Sequence, residues 1–263
     1  MSAEETLQIH IDGSENLPTL IYLPGMHGDW TLVSAFGAAV SGKVRFVKMI
    51  YPRTLDWTLE DYANAVEEAL LANGIESGWL LAESFGSQVA WPLCAPHRRD
   101  GGRRFHPKGV ILAGGFVRHP LYWGVRLLRW WVAGLTQARM QRFLKLYAWY
   151  VKRRHPHSPQ LDERIDAFVQ RRTDADLKAI AHRLDLIAAN DPASIVSGID
   201  IPVYYLAGLV DPLVPWPWVR SWLRRRCPQY QTGTTFLRAD HAVLCSAPEQ
   251  SAGRILEWMR LHV

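Results

Sequence analysis

Five short apolar runs recur along the chain, and segments with helical periodicity separate them. The runs are four to eight residues long: Thr19–Leu23, Val44–Tyr51, Trp79–Ala82, Gly109–Ala113 and Pro202–Ala207. A further strand is predicted at Thr234–Leu237. Short apolar runs bounded by turn residues are typical of strands that are buried on both faces. The pattern therefore predicts a mostly parallel sheet with helices on both sides.

Helix signals fall between these runs. Thr58 followed by Asp61 is a capping box that opens a helix ending at Asn73-Gly74. Further helices are predicted at Gln88–Cys94, Trp216–Arg226 and Pro248–Leu261. Between residues 116 and 198 the chain shows helical periodicity and no clear strand. We therefore predict a core formed by residues 1–116 and 199–263, with residues 117–198 inserted as a helical cap.

Composition excludes several classes of protein. The 263 residues are 48% hydrophobic and 21% charged, which rules out a disordered or coiled-coil chain. The acidic N-terminus does not resemble a signal peptide, and no stretch reaches the roughly 18 apolar residues of a spanning helix. No stable membrane insertion is therefore expected. The three cysteines, Cys94, Cys227 and Cys245, are widely spaced, so we expect reduced thiols in a cytoplasmic protein.

One segment accounts for the net charge of +5. Between Val117 and His157 there are nine Lys or Arg residues and no Asp or Glu, whereas the rest of the chain has 21 basic and 25 acidic residues. The segment is also rich in Trp and Tyr, and we expect a helical pair whose arginines face solvent while its aromatic side chains pack inward. Anionic lipid or an acidic protein stays an alternative partner. Nucleic acid is not expected, because no recognition motif accompanies the charge.

A serine lies where the strand ending at Ala82 meets the following helix. Ser84 has a small residue two positions before it, Ala82, and another two positions after it, Gly86. A nucleophile elbow places its serine on a sharp, strained turn whose flanking positions admit only small residues. The segment therefore predicts Ser84 as a catalytic nucleophile.

A serine hydroxyl needs a base, and the base needs an orienting acid. Among ten histidines His241 is favoured, because it lies in a loop directly after the strand Thr234–Leu237. Asp211 follows the strand Pro202–Ala207 in the same way, at a sheet edge where ligands bind. Asp240 is the rival acid, but an immediate neighbour can rarely aim its carboxylate at the His241 ring. The predicted catalytic residues are therefore Ser84, Asp211 and His241.

The loop Leu23–Asp29 supplies the fourth part of the predicted site. Acyl transfer needs two backbone N–H groups directed at the developing oxyanion. Gly25 lets the chain approach closely, so the N–H of Met26 is the first predicted donor. The N–H of Phe85, directly after the nucleophile, is the second. No metal or organic cofactor is expected.

Taken together, LPGMHGD, Tyr51-Pro52, AESFGS, GLVDPLVP and DHAVL resemble motifs of the α/β-hydrolase superfamily. Within it, the chain is similar to small bacterial carboxylesterases of the kind that includes pimeloyl-ACP methyl ester esterases. The resemblance implies an α/β-hydrolase fold, with a mostly parallel central sheet flanked by helices and an inserted helical cap. It covers about two thirds of the chain and leaves the cap unmatched. Ala82 also departs from the glycine common at this position of the elbow.

These observations predict a serine carboxylesterase that hydrolyses short- to medium-chain esters through an acyl-enzyme. His27, Tyr122, Trp123, Trp130 and Trp131 are candidate substrate contacts, while Glu83 is expected to support the elbow from below. One alternative is an esterase or thioesterase acting on acyl groups attached to an acidic carrier protein, which would bind the basic cap. A lyase or acyltransferase with the same triad and a binding module without activity are the others.

Overall fold

The computed structural model describes residues 6–95, 104–154 and 173–262, with Asp166 and Val169 between the last two ranges. A seven-stranded sheet with the order β1-β3-β2-β4-β5-β6-β7 forms its centre. The strands are β1 (Gln8–Asp12), β2 (Thr19–Leu23), β3 (Arg45–Ile50), β4 (Ser77–Glu83), β5 (His106–Ala113), β6 (Val203–Gly208) and β7 (Tyr230–Phe236). β1 pairs with β3 in antiparallel orientation, and the other pairs are parallel. The predicted mostly parallel sheet is confirmed.

Helices cover both faces of the sheet. They are α1 (Ser34–Val40), α2 (Leu59–Ala72), α3 (Gly86–Cys94), α4 (Tyr122–Ala133), α5 (Gln137–Arg154), α6 (Asp174–Ala189), α7 (Ala193–Gly198), α8 (Trp216–Arg226), α9 (Val243–Ser246) and α10 (Pro248–Arg260). The buried side chains of α1, α9 and α10 join Leu20 and Tyr22 of β2 in one core. Those of α2, α3 and α8 join Ile21 and Leu23 in the other. Because alternate residues of a strand enter opposite cores, the strands are apolar throughout.

The predicted limits of two elements can be compared directly with the structure. The α2 capping box is present, since Thr58 N donates to Asp61 Oδ2 at 2.7 Å and Asp61 N donates to Thr58 Oγ1 at 3.2 Å. The strand predicted at Thr234–Leu237 is wrong at both ends, because β7 spans Tyr230–Phe236. β7 is an edge strand and only half buried, so its first residues are polar and form no apolar run.

The described part of residues 117–198 is helical, and its assignment as a cap stays a prediction. α4 packs on α6, and α7 contacts α3 and α8 of the core. The expectation that the aromatic side chains pack inward is wrong for four tryptophans that are exposed: Trp123, Trp130, Trp131 and Trp149. The inner face of α4 is filled instead by aliphatic residues, among them Val125 and Val132. Among the described helices, none has the length and apolar character required to span a bilayer.

The three cysteines are buried, and none of them forms a disulfide. Burial raises the pKa of the Cys227 thiol. A buried thiol with a raised pKa is a poor nucleophile. Cys227 is therefore a poorer candidate for the catalytic nucleophile than Ser84.

Candidate active site

Ser84 lies at the turn between β4 and α3, in a conformation that side chains rarely adopt. Its φ is 48°, and it is the one non-glycine residue with positive φ among the residues described. Such a conformation costs roughly 1–3 kcal/mol and persists only where the surrounding structure imposes it. The Ser84 N–H is held by Ala113 O of the neighbouring strand at 3.1 Å. The sheet thus fixes a strained serine at its carboxyl edge, which is the geometry of a nucleophile elbow.

The small residue after the serine is required by close packing. A Cβ atom added to Gly86 would lie 2.1 Å from Leu23 O, which leaves no room for any side chain. The start of α3 therefore lies directly against the loop that follows β2. The turn is also held from inside, because Ser87 Oγ donates to Ser84 O at 2.6 Å and accepts from Phe116 N at 3.1 Å.

Two loops at the same sheet edge bring a histidine and an aspartate to the serine. His241 follows β7, and its Nε2 lies 2.9 Å from Ser84 Oγ. Asp211 follows β6, and its Oδ2 lies 2.8 Å from His241 Nδ1. Asp211 Oδ1 accepts the backbone N–H groups of Leu213 at 2.8 Å and Val214 at 2.9 Å, which fixes the carboxylate. The arrangement suits a neutral imidazole that donates from Nδ1 and accepts the serine proton at Nε2.

The surroundings of His241 act on its pKa in opposite directions. Burial lowers the pKa, but the hydrogen bond and the negative charge of Asp211 raise it, with smaller contributions from Glu83 and Asp240. The net result is a pKa above the ordinary value of 6.5. A base with a raised pKa takes a proton more readily and is charged at mildly acidic pH.

The rival carboxylate has a different role. Asp240 Oδ1 accepts the backbone N–H of Ala242 at 3.1 Å, and the Asp240 N–H is held by Ser246 Oγ at 3.2 Å. These contacts shape the turn that begins α9. Asp211 occupies the hydrogen-bonding position at the His241 ring.

The two N–H groups predicted to bind an oxyanion belong to Met26 and Phe85. Phe85 lies between Ser84 and α3, and Met26 lies in the loop after β2, which packs against the start of α3. Within the described part of the chain, neither N–H donates a hydrogen bond to a protein group. Both N–H groups therefore stay the predicted donors to the oxyanion.

The comparisons with known proteins come from structure alone, since no protein-family model and no curated protein matches the chain. A hydrolase from Pseudomonas aeruginosa PA01 is similar with a TM-score of 0.78 at 16% identity, covering 96% of this chain and 94% of that one. A thermophilic esterase from Thermogutta terrifontis gives 0.73 at 21% identity, covering 98% and 94%. The enol-lactonase from Burkholderia xenovorans LB400 gives 0.74 at 17% identity, covering 97% and 96%.

The chain has the α/β-hydrolase fold. The similarity extends over nearly the whole length of each of these structures. The resemblance to the superfamily that the sequence motifs carry is therefore confirmed at the level of the fold. The likeness to pimeloyl-ACP methyl ester esterases stays a prediction.

The α/β-hydrolase core and its cap are joined by a buried arginine that the sequence analysis did not single out. Arg183, on α6 of the cap, donates to Met26 O at 2.7 Å and to Pro52 O at 3.0 Å. A Cβ atom on Gly28, whose φ is +80°, would lie 2.6 Å from Arg183 Nη1, so the glycine makes room for the guanidinium. Helix α6 thus contacts the loop that carries Met26, one of the two predicted oxyanion donors. Residues 117–198 contain many arginines, and the sequence does not indicate which of them is buried.

Glu83 and His27 lie next to the elbow. Glu83 is buried and accepts a hydrogen bond from the Tyr22 hydroxyl. Burial, together with the charge of Glu83, holds the pKa of Tyr22 well above its usual value. His27 Nε2 lies 3.8 Å from Glu83 Oε2. Glu83 thus links β4 to β2 next to the elbow, and the role of His27 as a substrate contact stays a prediction.

His119 is a second residue that the sequence analysis missed. It is buried near the triad, and burial lowers its pKa, to which the charge of His241 also contributes. It lines a cleft of about 340 Å³ with Tyr122, Trp218, Val219 and others. One sequence feature could have identified His119. It lies a few residues beyond the end of β5, at the sheet edge where Ser84 and Asp211 also lie.

The predicted aromatic contacts fall into two groups. Tyr122 lines the cleft beside His119, and the guanidinium of Arg118 lies 4.8 Å from the centre of its ring. Trp123, Trp130 and Trp131 are exposed to solvent on α4. Tyr122 is therefore a partly exposed residue at the edge of this cleft, the three tryptophans lie on the surface, and a role for Tyr122 in substrate binding stays a prediction.

Proposed function

We propose that this chain is a serine hydrolase that cleaves carboxylic esters of short to medium chain length through an acyl-enzyme. One observation carries the proposal. A strained serine, a histidine and a buried carboxylate are connected by hydrogen bonds of 2.9 and 2.8 Å at the edge of a parallel sheet. A structural role does not require a serine with φ of 48° or a histidine between two such partners.

Acylation begins when Ser84 Oγ attacks the ester carbonyl carbon. The hydroxyl proton passes to His241 Nε2 as the new C–O bond forms, and the carbonyl oxygen becomes an oxyanion. Asp211 stabilises the imidazolium that results, because its Oδ2 accepts from Nδ1. The N–H groups of Met26 and Phe85 are proposed to bind the oxyanion. Collapse of the tetrahedral intermediate transfers the proton from His241 to the departing alcohol.

Deacylation repeats these steps with water as the nucleophile. His241 removes a proton from water, and the hydroxide adds to the acyl carbon. The second intermediate breaks the bond to Ser84 Oγ, which takes the proton back from His241. The products are a free carboxylic acid and an alcohol, and the enzyme returns to its starting state.

We place the acyl chain of the substrate in the cleft beside His119, which lies next to the site and is not itself lined by Ser84, Asp211 or His241. Its volume of about 340 Å³ is at the small end of the range for ligand pockets. Two of the similar structures are described as an esterase and an enol-lactonase, and a lactone is a cyclic ester. Small linear esters and lactones therefore form the first substrate panel.

The test compares wild type with Ser84→Ala on p-nitrophenyl esters from acetyl to palmitoyl. We expect activity that is greatest on the shorter chains and falls by roughly 10⁴-fold or more in the variant. Ser197→Ala, at an exposed serine on α7, is the matched control and keeps full activity. A fluorophosphonate probe should label wild type at Ser84 and leave the variant unlabelled.

Other outcomes would point to the alternatives. No activity on any free ester, with a folded protein, would contradict the proposal and direct attention to acyl groups on a carrier. The similar structures reported above give no support to a carrier protein as partner. Products other than a free acid and an alcohol would indicate a lyase or an acyltransferase.

A further inference from the structure

The outward face of α4 presents large apolar side chains to solvent. Trp123, Leu127 and Trp130 are 61%, 61% and 73% exposed. They are spaced at i, i+4 and i+7, which places them in one stripe along the helix. Arg126, also exposed, lies beside this stripe. Such an apolar stripe on a water-facing helix calls for an explanation.

The stripe is not an unfinished part of the core, because the opposite side of α4 already has its partner. Val125 and Val132 are buried there, and α4 packs along α6. Arg129 Nε lies 2.9 Å from Asp185 Oδ1 of α6, which adds an ion pair across the two helices. Helix α4 is therefore held by its inner face, and the tryptophan stripe is left pointing away from the molecule.

The following helix repeats the pattern. On α5, the exposed residues Arg142, Lys145, Leu146, Trp149 and Arg153 recur at intervals of three and four. They mix basic with apolar side chains on one stripe. The guanidinium of Arg153 lies 5.4 Å from the centre of the Trp149 ring. Both helices thus expose tryptophan and leucine together with arginine or lysine.

The segment that carries both helices is strongly basic, although two of its arginines, Arg118 and Arg129, are paired with Asp191 and Asp185. The nine Lys and Arg residues between Val117 and His157 are not accompanied by any Asp or Glu within the segment. The rest of the chain has four more acidic than basic residues. A second copy of this chain would meet the surface with the same positive charge if the two faces were apposed, so self-association through it is disfavoured.

We infer that the exposed faces of α4 and α5 dock the protein on the surface of an anionic lipid bilayer. Basic side chains attract the negative headgroups, and tryptophan and leucine enter the boundary between headgroups and acyl chains. Tryptophan suits that boundary because its ring is apolar and its N–H remains hydrated. An acidic protein as binding partner would explain the basic residues. It would not explain why two tryptophans and a leucine are exposed in one stripe. The inference does not depend on the proposed catalytic activity.

The experiment is co-sedimentation of the full chain with lipid vesicles. We expect binding to phosphatidylcholine vesicles that contain about 30 mol% phosphatidylglycerol, and little binding to phosphatidylcholine alone. Binding should weaken as salt rises from about 50 mM to about 500 mM. Quenching of tryptophan fluorescence by lipids brominated in the acyl chain should accompany binding, because the stripe enters the boundary.

Two pairs of variants separate the contributions. Arg126→Glu/Arg142→Glu should weaken binding about tenfold or more, whereas the matched charge reversal Arg224→Glu/Arg226→Glu on α8 should weaken it much less. Trp123→Ala/Trp130→Ala should weaken binding and remove most of the quenching, whereas Trp218→Ala, at an exposed tryptophan outside α4 and α5, should not. The four sets of positions lie at the surface, and the thermal unfolding midpoint checks that each variant folds.

Three results would overturn the inference. The first is absence of binding by wild type to the anionic vesicles at low salt. The second is binding that the α4–α5 variants and their controls change equally. The third is binding to poly-glutamate, used as an acidic polypeptide probe, without binding to the vesicles. The charge-reversal variant and the tryptophan variant are independent of each other. If one of them fails to fold, the other still tests the inference against its own control.

Discussion

At the scale of single residues, the site depends on one strained serine and the groups that hold its partner. Ser84 is held at φ of 48° by Ala113 O behind it and by Ser87 Oγ inside the turn. Ala82, where a glycine is common in such elbows, is accommodated as a fully buried residue of β4. The carboxylate of Asp211 then determines which nitrogen of His241 faces the serine.

The first prediction concerns that carboxylate. Asp211→Asn should lower kcat about 10⁴-fold, because an amide that donates to Nδ1 favours the wrong tautomer of His241. It should also lower the pKa of His241, since the hydrogen bond and charge that raise it are removed while burial, which lowers it, remains. The measurement is kcat/KM between about pH 5 and about pH 9, where the acidic limb reports the base of the free enzyme.

The sign of the shift follows from the reaction. Neutral His241 is the active form, so activity rises with pH through the His241 pKa, which lies above 6.5 in wild type. In Asp211→Asn the acidic limb should move to lower pH. Asp240→Asn is the control, because Asp240 makes only a small contribution to this pKa. An acidic limb that moves as far in Asp240→Asn as in Asp211→Asn would show that the orienting acid is misassigned.

At the scale of elements, α6 is joined by hydrogen bonds to the loop after β2 and to Pro52. Arg183 reaches from this helix to Met26 O and Pro52 O, and its guanidinium lies 5.9 Å from the centre of the Phe85 ring. Met26 and Phe85 are the two residues whose N–H groups are predicted to bind the oxyanion. We therefore expect Arg183 to act as a positioning residue for the proposed oxyanion site.

The second prediction tests this positioning role. Arg183→Met should lower kcat roughly 10–100-fold with a smaller change in KM, because the loop is displaced in the transition state. It should also lower the free energy of unfolding by about 1–3 kcal/mol, because buried carbonyl groups lose their donor. Arg129→Met, on α4, removes a partly exposed ion pair. It should lower the free energy of unfolding by under about 1 kcal/mol and change kcat little. Equal effects of the two substitutions on kcat would contradict the role.

The third prediction concerns the cleft between the start of the cap and α8. Trp218→Ala should enlarge this cleft and raise kcat/KM for longer acyl chains relative to acetyl. Trp123→Ala removes an exposed tryptophan close by in the cap, and it should leave the chain-length profile unchanged. The p-nitrophenyl ester series measures both. A profile that shifts in Trp123→Ala and not in Trp218→Ala would move the acyl site to the outer face of α4.

At the scale of the whole molecule, the sheet divides the interior into two cores. Leu80 and Leu112 belong to one core, and Leu81 and Ile111 belong to the other. The central strands β4 and β5 are thus covered on both faces. Because β4 ends at the elbow, the packing of this strand helps to position Ser84 and also stabilises the fold.

The fourth prediction measures this packing. Leu80 is fully buried, and Leu80→Ala should lower the free energy of unfolding by about 2–5 kcal/mol through lost burial and a residual cavity. Leu55 is 53% exposed, and Leu55→Ala should change the free energy of unfolding by under about 0.5 kcal/mol. Urea denaturation gives both values. Similar losses in the two variants would be inconsistent with a core centred on β4.

The sequence by itself determined the parallel sheet and most element limits, because a strand buried on both faces has to be apolar throughout. It also predicted Ser84, Asp211 and His241 individually, since each follows a predicted strand and the carboxyl ends of parallel strands meet at one edge. The edge strand β7 was displaced in the prediction, because half-exposed positions accept polar residues such as Gln231 and Thr232.

Only the tertiary structure decided which side chains of the cap face inward. Arg183 and Arg129 are both cap arginines, yet the first is buried against the catalytic loop and the second is paired at the surface. The tryptophans of α4 are exposed because aliphatic residues fill its inner face. Periodicity identifies two faces of such a helix, but when both are apolar it does not indicate which one meets the protein. That depends on the shape and chemistry of the neighbouring elements, which are distant in sequence.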